Sequence, residues 1–157
     1  MARPTPAPTR HQGARTILVA DRDLRSRIAT CAILRRLGFE IAEADSPRSA
    51  LAQARSGPYS CAILDLNISE SGAFEFCRRL LATPGWSWTP VIFTSSHPPE
   101  PEQRDTLQQG GFTFLLKPFR SGQLLSAVGD ALAASTPLRE ARPDRRRALA
   151  TAEAATA

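Results

Sequence analysis

Apolar residues gather in five short runs along this chain, and the stretches between runs carry apolar positions every three or four residues. The first run, residues 16–20, is rich in β-branched side chains and stops at Asp21-Arg22-Asp23, which predicts a strand and then a loop. Residues 24–37 set Ile28, Cys31, Ala32, Leu34 and Leu37 along one helical stripe, with Gly38 as the C-terminal stop. In residues 39–44 Phe39, Ile41 and Ala44 alternate with Glu40 and Glu43, the pattern of an edge or half-exposed strand. Ser46-Pro47 opens a second helix, with Ser as N-cap and Pro at the first helical position, running to about Arg55 before Gly57-Pro58.

Residues 60–64 are continuously apolar from Cys61 onward and end in Asp65, as expected of a central strand covered on both faces. A polar loop, 67–72, leads to a helix over 73–81 carrying Phe74, Phe76, Cys77, Leu80 and Leu81. After a loop over 83–90, residues 91–94 form a fourth strand with Ser95-Ser96 at its carboxyl end. Three prolines within 97–101 impose a stiff, extended connection, and a short polar helix follows to about Gln109. The apolar run between Gly111 and Pro118 reads as a buried strand with Lys117 at its carboxyl end. Ser121 caps a last helix through Leu124, Leu125, Val128 and Leu132. Five strand–helix pairs in strict alternation predict an α/β protein with a doubly wound, five-stranded parallel sheet and right-handed crossovers.

Composition changes this picture little. A chain of 157 residues with 42% hydrophobic content holds one ordinary domain with a real core. The net charge of +5 points toward nucleic acid until it is divided. Residues 16–136 balance twelve basic against twelve acidic side chains, so the excess lies in the ends and argues against nucleic acid as a partner. The expected organisation is a disordered basic extension over 1–15, one domain over 16–135, and an Arg/Ala-rich tail over 136–157, helical or disordered. Cys31, Cys61 and Cys77 have no metal-ligand spacing and read as small core residues of a reducing, cytoplasmic compartment. No apolar run reaches the roughly twenty residues a membrane span needs.

Candidate chemistry begins with Lys117, the only lysine among twenty basic residues. Every other cation is arginine, so a compact ammonium has been placed at a strand's carboxyl end, where parallel α/β sheets bind ligands. A snorkelling lysine covering apolar surface accounts for the same position. Asp21, Asp65 and Ser95 end other strands and face the same edge. The chain has no Gly-rich phosphate loop. A carboxylate nucleophile beside a cation and a hydroxyl is the arrangement expected for forming an acyl phosphate, with Mg²⁺ assisting through carboxylate oxygens.

On these residues the chain resembles the receiver domain of two-component response regulators over 16 to about 135. The matching pieces are Ile17-Leu18-Val19-Ala20-Asp21, Ile63-Leu64-Asp65, Pro90-Val91-Ile92-Phe93-Thr94-Ser95 and Phe114-Leu115-Leu116-Lys117-Pro118-Phe119. The intervals from Asp65 to Ser95 to Lys117 also fit that family. The resemblance implies a flavodoxin-like (βα)5 fold, Asp65 as phosphoacceptor, Ser95 as switch hydroxyl, Lys117 as phosphoryl-binding cation and Phe114 as switch aromatic. It further implies a cis Lys117-Pro118 bond and a weak Mg²⁺ site on Asp21, Asp65 and the backbone of Asn67. Phosphate would come from a histidine kinase or phosphotransfer protein. With no output domain expected in this chain, output would pass by docking through the stretch that begins near Glu102 and ends near Ala134. A homodimer is compatible with this reading.

Departures from the family pattern open alternatives. The usual acidic pair after the first strand is Asp21-Arg22, and a usual Pro and Gly after the phosphoacceptor are Ser69 and Ala73. If Arg22 faces the pocket, it neutralises the site and repels Mg²⁺; if it faces solvent, one ligand is lost. Asp23 serves either as substitute ligand or as N-cap. Arg22 motivates a second function, a pseudo-receiver that docks without being phosphorylated. Asp21-Arg22-Asp23 is also similar to the opening motif of haloacid-dehalogenase-type phosphatases, but the chain lacks their later acidic pair and Asp65 would then be unused. The expectation is a phosphoacceptor signalling protein and not an enzyme acting on other substrates.

Overall fold

The computed structural model of the chain describes residues 15–57, 59–134 and 144–156. Its elements run β1 (Thr16–Ala20), α1 (Leu24–Arg36), β2 (Glu40–Ala44), α2 (Pro47–Ala54), β3 (Cys61–Asp65), α3 (Ala73–Leu81), β4 (Val91–Ser95), α4 (Pro101–Gln109), β5 (Thr113–Leu116), α5 (Ser121–Ala134) and α6 (Arg145–Thr156). All four strand pairings are parallel, in the order β2-β1-β3-β4-β5. This is the expected doubly wound sheet. Its order reverses between β1 and β3, the place where such sheets open a crevice.

Period-two alternation sends successive strand residues to opposite faces. Leu18, Ala20, Ala62, Leu64, Val91 and Phe93 join one buried cluster with residues of α2, α3, α4 and α6. Ile17, Val19, Cys61, Ile63 and Ile92 join a second with α1 and α5. With both faces covered, β3 and β4 are buried at every position, which is why their sequences are continuously apolar. The cysteines lie inside these clusters. Burial pushes the Cys61 and Cys77 thiols up to about 12 and the Cys31 thiol up to about 11, so they remain neutral small hydrophobes at physiological pH.

Helix starts follow their cap residues. Asp23 accepts from the Ser26 amide at 2.7 Å, so it is the N-cap of α1. Ser46 and Ser49 form a reciprocal cap ahead of Pro47. Gly38 follows the end of α1 at φ +86°, a conformation a Cβ disfavours.

Several expectations need correction. The buried stripe of α1 is Thr30, Cys31 and Leu34, while Ile28 is 55% exposed and Ala32 also faces outward. The α5 stripe is Leu124, Ala127, Val128 and Ala131, and Leu125 lies outside it. In both helices small or polar residues occupy the sheet-facing row at i, i+3, i+4 and i+7, which ranking by hydrophobicity overlooks. The strand ending at Lys117 is not buried. β5 is an edge strand with one neighbour, and its residues are half-buried or exposed. Of the expected basic extension over 1–15, only Arg15 falls within the described residues. Residues 145–156 of the expected tail are helix, whereas 135–143 and Ala157 lie outside the described residues.

One aromatic stack organises the larger cluster. The Phe93 ring meets Phe74 edge-on at 5.2 Å and Phe112 at 5.3 Å. Phe112 in turn lies against Gly110, where a Cβ would meet ring carbons at 2.2 and 2.5 Å. Gly110→Ala is therefore expected to displace a buried ring and to destabilise by roughly 1–3 kcal/mol. Denaturant unfolding checks this, through a lower midpoint at unchanged slope.

Candidate functional site

The carboxyl ends of β1 and β3 are neighbours across the switch point, so the residues completing them, Asp21 and Asp65, meet above the sheet. Each of these side chains is 7% exposed. Asp21 and Asp65 each accept from the backbone amide two residues on, of Asp23 at 2.9 Å and of Asn67 at 2.7 Å, which fixes their rotamers. Lys117 supplies the remaining partner to both. Its Nζ donates to Asp21 Oδ2 at 2.7 Å and to Asp65 Oδ2 at 2.5 Å. The backbone places it: the Lys117 amide donates to the Ser95 carbonyl at 2.8 Å, extending the β4–β5 ladder by one step, and the Lys117-Pro118 bond is cis as expected.

Burial opposes the ammonium, but the hydrogen bonds it donates to Asp21 and Asp65, together with their charge, outweigh burial and hold the Lys117 pKa above that of an ordinary lysine. Two carboxylates and one ammonium leave the pocket with a net charge near −1. Ser95 is buried at the end of β4 and its Oγ accepts from the His97 amide at 3.1 Å. Phe114 on β5 is half-buried and packs against the cluster that contains Phe93. It therefore leans inward without any group to hold it at the surface.

The structure thus brings together Asp21, Asp65 and Lys117, with Ser95 at the adjoining strand end. It separates Arg22 from them. Arg22 is exposed and, among the described residues, makes no salt bridge, so of its two orientations the outward one is adopted. Asp23 caps α1, one of the two roles open to it. Asn67 has an exposed side chain and engages Asp65 through its amide. The altered loop is closed by its own hydroxyls, with Ser69 and Ser71 Oγ atoms 2.8 Å apart.

Two contributors lie outside the sequence-based candidates. Arg27 Nη1 donates to the Asp21 carbonyl at 2.7 Å while its Nε lies 3.5 Å from Glu43, so it ties the β1 end to β2. Its place at i+3 before Thr30 on the sheet-facing row of α1 was the available signal. Leu66 donates its amide to the Thr94 carbonyl at 2.8 Å, locking the β3 end to β4.

No group of three or more His, Cys, Asp or Glu side chains converges among the described residues. Two carboxylates do converge, on one Nζ, and Mg²⁺ is commonly held by one or two carboxylates together with water. The donor set therefore fits a weakly held Mg²⁺. No helix among the described residues is long and apolar enough to cross a membrane.

Comparison with known proteins agrees with this geometry. The family model described as response regulator receiver domain matches residues 17–129. The transcriptional regulatory protein TdiR of Thauera aromatica is 24% identical over 90% of this chain and 61% of its own length. Chemotaxis protein CheY4 of Vibrio cholerae superposes with a TM-score of 0.69 at 26% identity, covering 75% of this chain and 98% of that one. The receiver domain of sensor histidine kinase PA1611 from Pseudomonas aeruginosa, solved with a magnesium ion coordinated in its active-site cleft, shares the fold with a TM-score of 0.68 at 19% identity. It covers 76% of this chain and 98% of its own. The chain spans less than two thirds of the curated relatives it matches, 17% of the Myxococcus xanthus gliding motility regulatory protein being one instance.

Proposed function

The chain belongs to the response regulator receiver family, and we propose that it accepts a phosphoryl group on Asp65 from a histidine kinase or phosphotransfer protein. One observation carries this reading: the buried Asp65 carboxylate at the switch point shares the Lys117 ammonium with Asp21. Attack by an Asp65 oxygen on a phosphorus forms an acyl phosphate and expels the donor's leaving group. Lys117 stands 2.5 Å from that carboxylate, so it is in place to offset charge on the transferring oxygens. Lys117 also offsets the desolvation of a buried anion before reaction. The Ser95 hydroxyl, released from the His97 amide, turns toward the new phosphate and vacates room that Phe114 takes, biasing a two-state loop.

Asp21, Asp65 and the Asn67 carbonyl are the groups that would hold Mg²⁺, whose chemistry here is neutralisation of phosphoryl oxygens. Arg22 acts on such an ion through its field alone, since it faces solvent. Arg22→Asp changes the local charge by two units at a separation of order 10 Å, which in a water-like dielectric with salt amounts to about 1 kcal/mol, or roughly fivefold tighter Mg²⁺ binding. Titration by calorimetry checks this; equal affinities would show that the residue lies outside the site's field.

Incubation with acetyl phosphate, with and without Mg²⁺, tests the main reading. Uptake of phosphate that hydroxylamine removes is the expected result, because that nucleophile cleaves acyl phosphates. A stable protein that takes up no phosphate would support instead the docking-only pseudo-receiver that Arg22 motivates. Output is assigned to a partner protein engaging α4, β5 and α5.

A further inference from the structure

Beyond the segment matched by the family model, which ends at residue 129, the chain adds α6 and lays it across α3 and α4. Ala148 and Leu149 are 2% and 1% exposed, and Leu149 belongs to the same buried cluster as Leu80, Leu107 and Phe112. Polar contacts fasten the helix at both ends. Near its start Arg145 Nη1 donates to the Thr89 carbonyl at 2.7 Å, and the same guanidinium stands 5.2 Å from the centre of the Phe112 ring. Near its end Glu153 pairs with Arg78 at 3.1 Å.

Phe112 is the pivot of this arrangement. It sits between Arg145, the edge of Phe93 and the space left by Gly110, two residues before Phe114. Phe93 precedes Thr94 and Ser95 on β4. A helix that presses on Phe112 therefore touches the segment joining α4 to β5, and β5 in turn carries Phe114 and leads to Lys117.

The seat is modest. A helix of 12 residues is marginal in water by itself, and α6 contributes one fully buried large side chain, Leu149. A cavity of about 260 Å³ opens beside residues 151–153, against the loop after Asp65 and α4, lined by Leu66, Phe74, Glu102, Thr106, Thr151 and Glu153 among others. A short helix seated on one buried leucine is the kind of element that opens locally before the rest of a fold.

We propose that the joined faces of α3 and α4 are a helix-binding surface, that α6 is its intramolecular occupant, and that its seating clamps the α4–β5 segment through Phe112. Release of α6 frees that segment and uncovers Leu107 and Phe112, which share its buried cluster. The clamp rests on the packing described here and stands apart from phosphorylation of Asp65.

Hydrogen exchange on the full chain tests it. In the unaltered protein, amides of 145–156 are expected to be protected. In Leu149→Glu and in the milder Arg145→Ala they are expected to lose protection, and amides across 105–116 to exchange at least about tenfold faster, while 17–20 and 61–65 stay protected as the internal control. Leu149→Met, which conserves volume, is expected to behave like the unaltered chain. Unprotected α6 amides in the native protein, or released α6 with 105–116 unchanged, would overturn the proposal. Should Leu149→Glu unfold the whole domain, Arg145→Ala decides by the same readout.

Discussion

Asp65→Asn is expected to reduce phosphate uptake from near-stoichiometric to background while leaving the fold intact. Asp65 and Asp21 are equally buried and share one ammonium, so burial and charge do not by themselves say which is the nucleophile. Position does. Asp65 ends a strand buried on both faces and is flanked by β1 and β4, so its carboxylate lies between Asp21 on one side and the Ser95 strand end on the other. Asp21 is one strand further from Ser95. An asparagine there keeps the shape but lacks the carboxylate nucleophile, and its NH2 must face a donor, either the Asn67 amide or Lys117, costing about 1–2 kcal/mol. Mass spectrometry of the intact variant, with circular dichroism to verify folding, gives the readout. Full labelling of Asp65→Asn, or phosphate mapped to Asp21, would remove Asp65 from the role assigned to it.

Removing the lysine should produce the largest loss of stability in the site. Lys117→Ala leaves two buried carboxylates facing each other without their shared donor, and a loss of about 2–4 kcal/mol is expected at neutral pH. Because Lys117 is more basic folded than unfolded, its contribution is fully present below the unfolded value near 10.5 and fades as pH rises through the higher folded value. The gap between wild type and variant is thus constant from neutral pH to about 10 and closes above it. Millimolar Mg²⁺ should raise the melting temperature of Lys117→Ala more than that of the wild type, since the ion supplies the missing positive charge. A variant as stable as the wild type at pH 7 would mean that water already satisfies these carboxylates.

Much of this was readable from the chain because several constraints coincided at the same residues. Asp65 had to end an apolar run, Lys117 had to be a lysine in an arginine-rich chain, and both had to lie at strand ends of one sheet edge. Cap residues set the starts of α1 and α2 for the same reason, since Asp23 and Ser46 satisfy local amides. What escaped depends on contacts between distant segments. Trp86 lies in a loop, yet it is fully buried, donates to the Ala54 carbonyl at 3.0 Å and packs on Tyr59. No local period marks it. The orientation of Arg22 turns on where the chain leaves β1, which neighbouring residue types do not specify. The seat of α6 escaped because an Arg/Ala-rich segment has the composition of a solvated helix or tail, and only Leu149 betrays a buried side. β5 reads as buried because it is apolar, though its place at the sheet edge follows from strand order.

The pairing of Lys117 with both aspartates also has a consequence for how the domain assembles. The two bonds close sequence separations of 96 and 52 residues, whereas every strand pairing except β1 with β3 joins consecutive strands. Loop-closure entropy disfavours such contacts until the strands between are ordered. The cation that Asp21 and Asp65 share arrives only with β5, the last strand to pair with β4 in chain order. The site is completed from the last strand end: a chain halted before residue 117 lacks the one ammonium that both aspartates share. The charge balance at that edge is restored only in a domain whose last strand is in place.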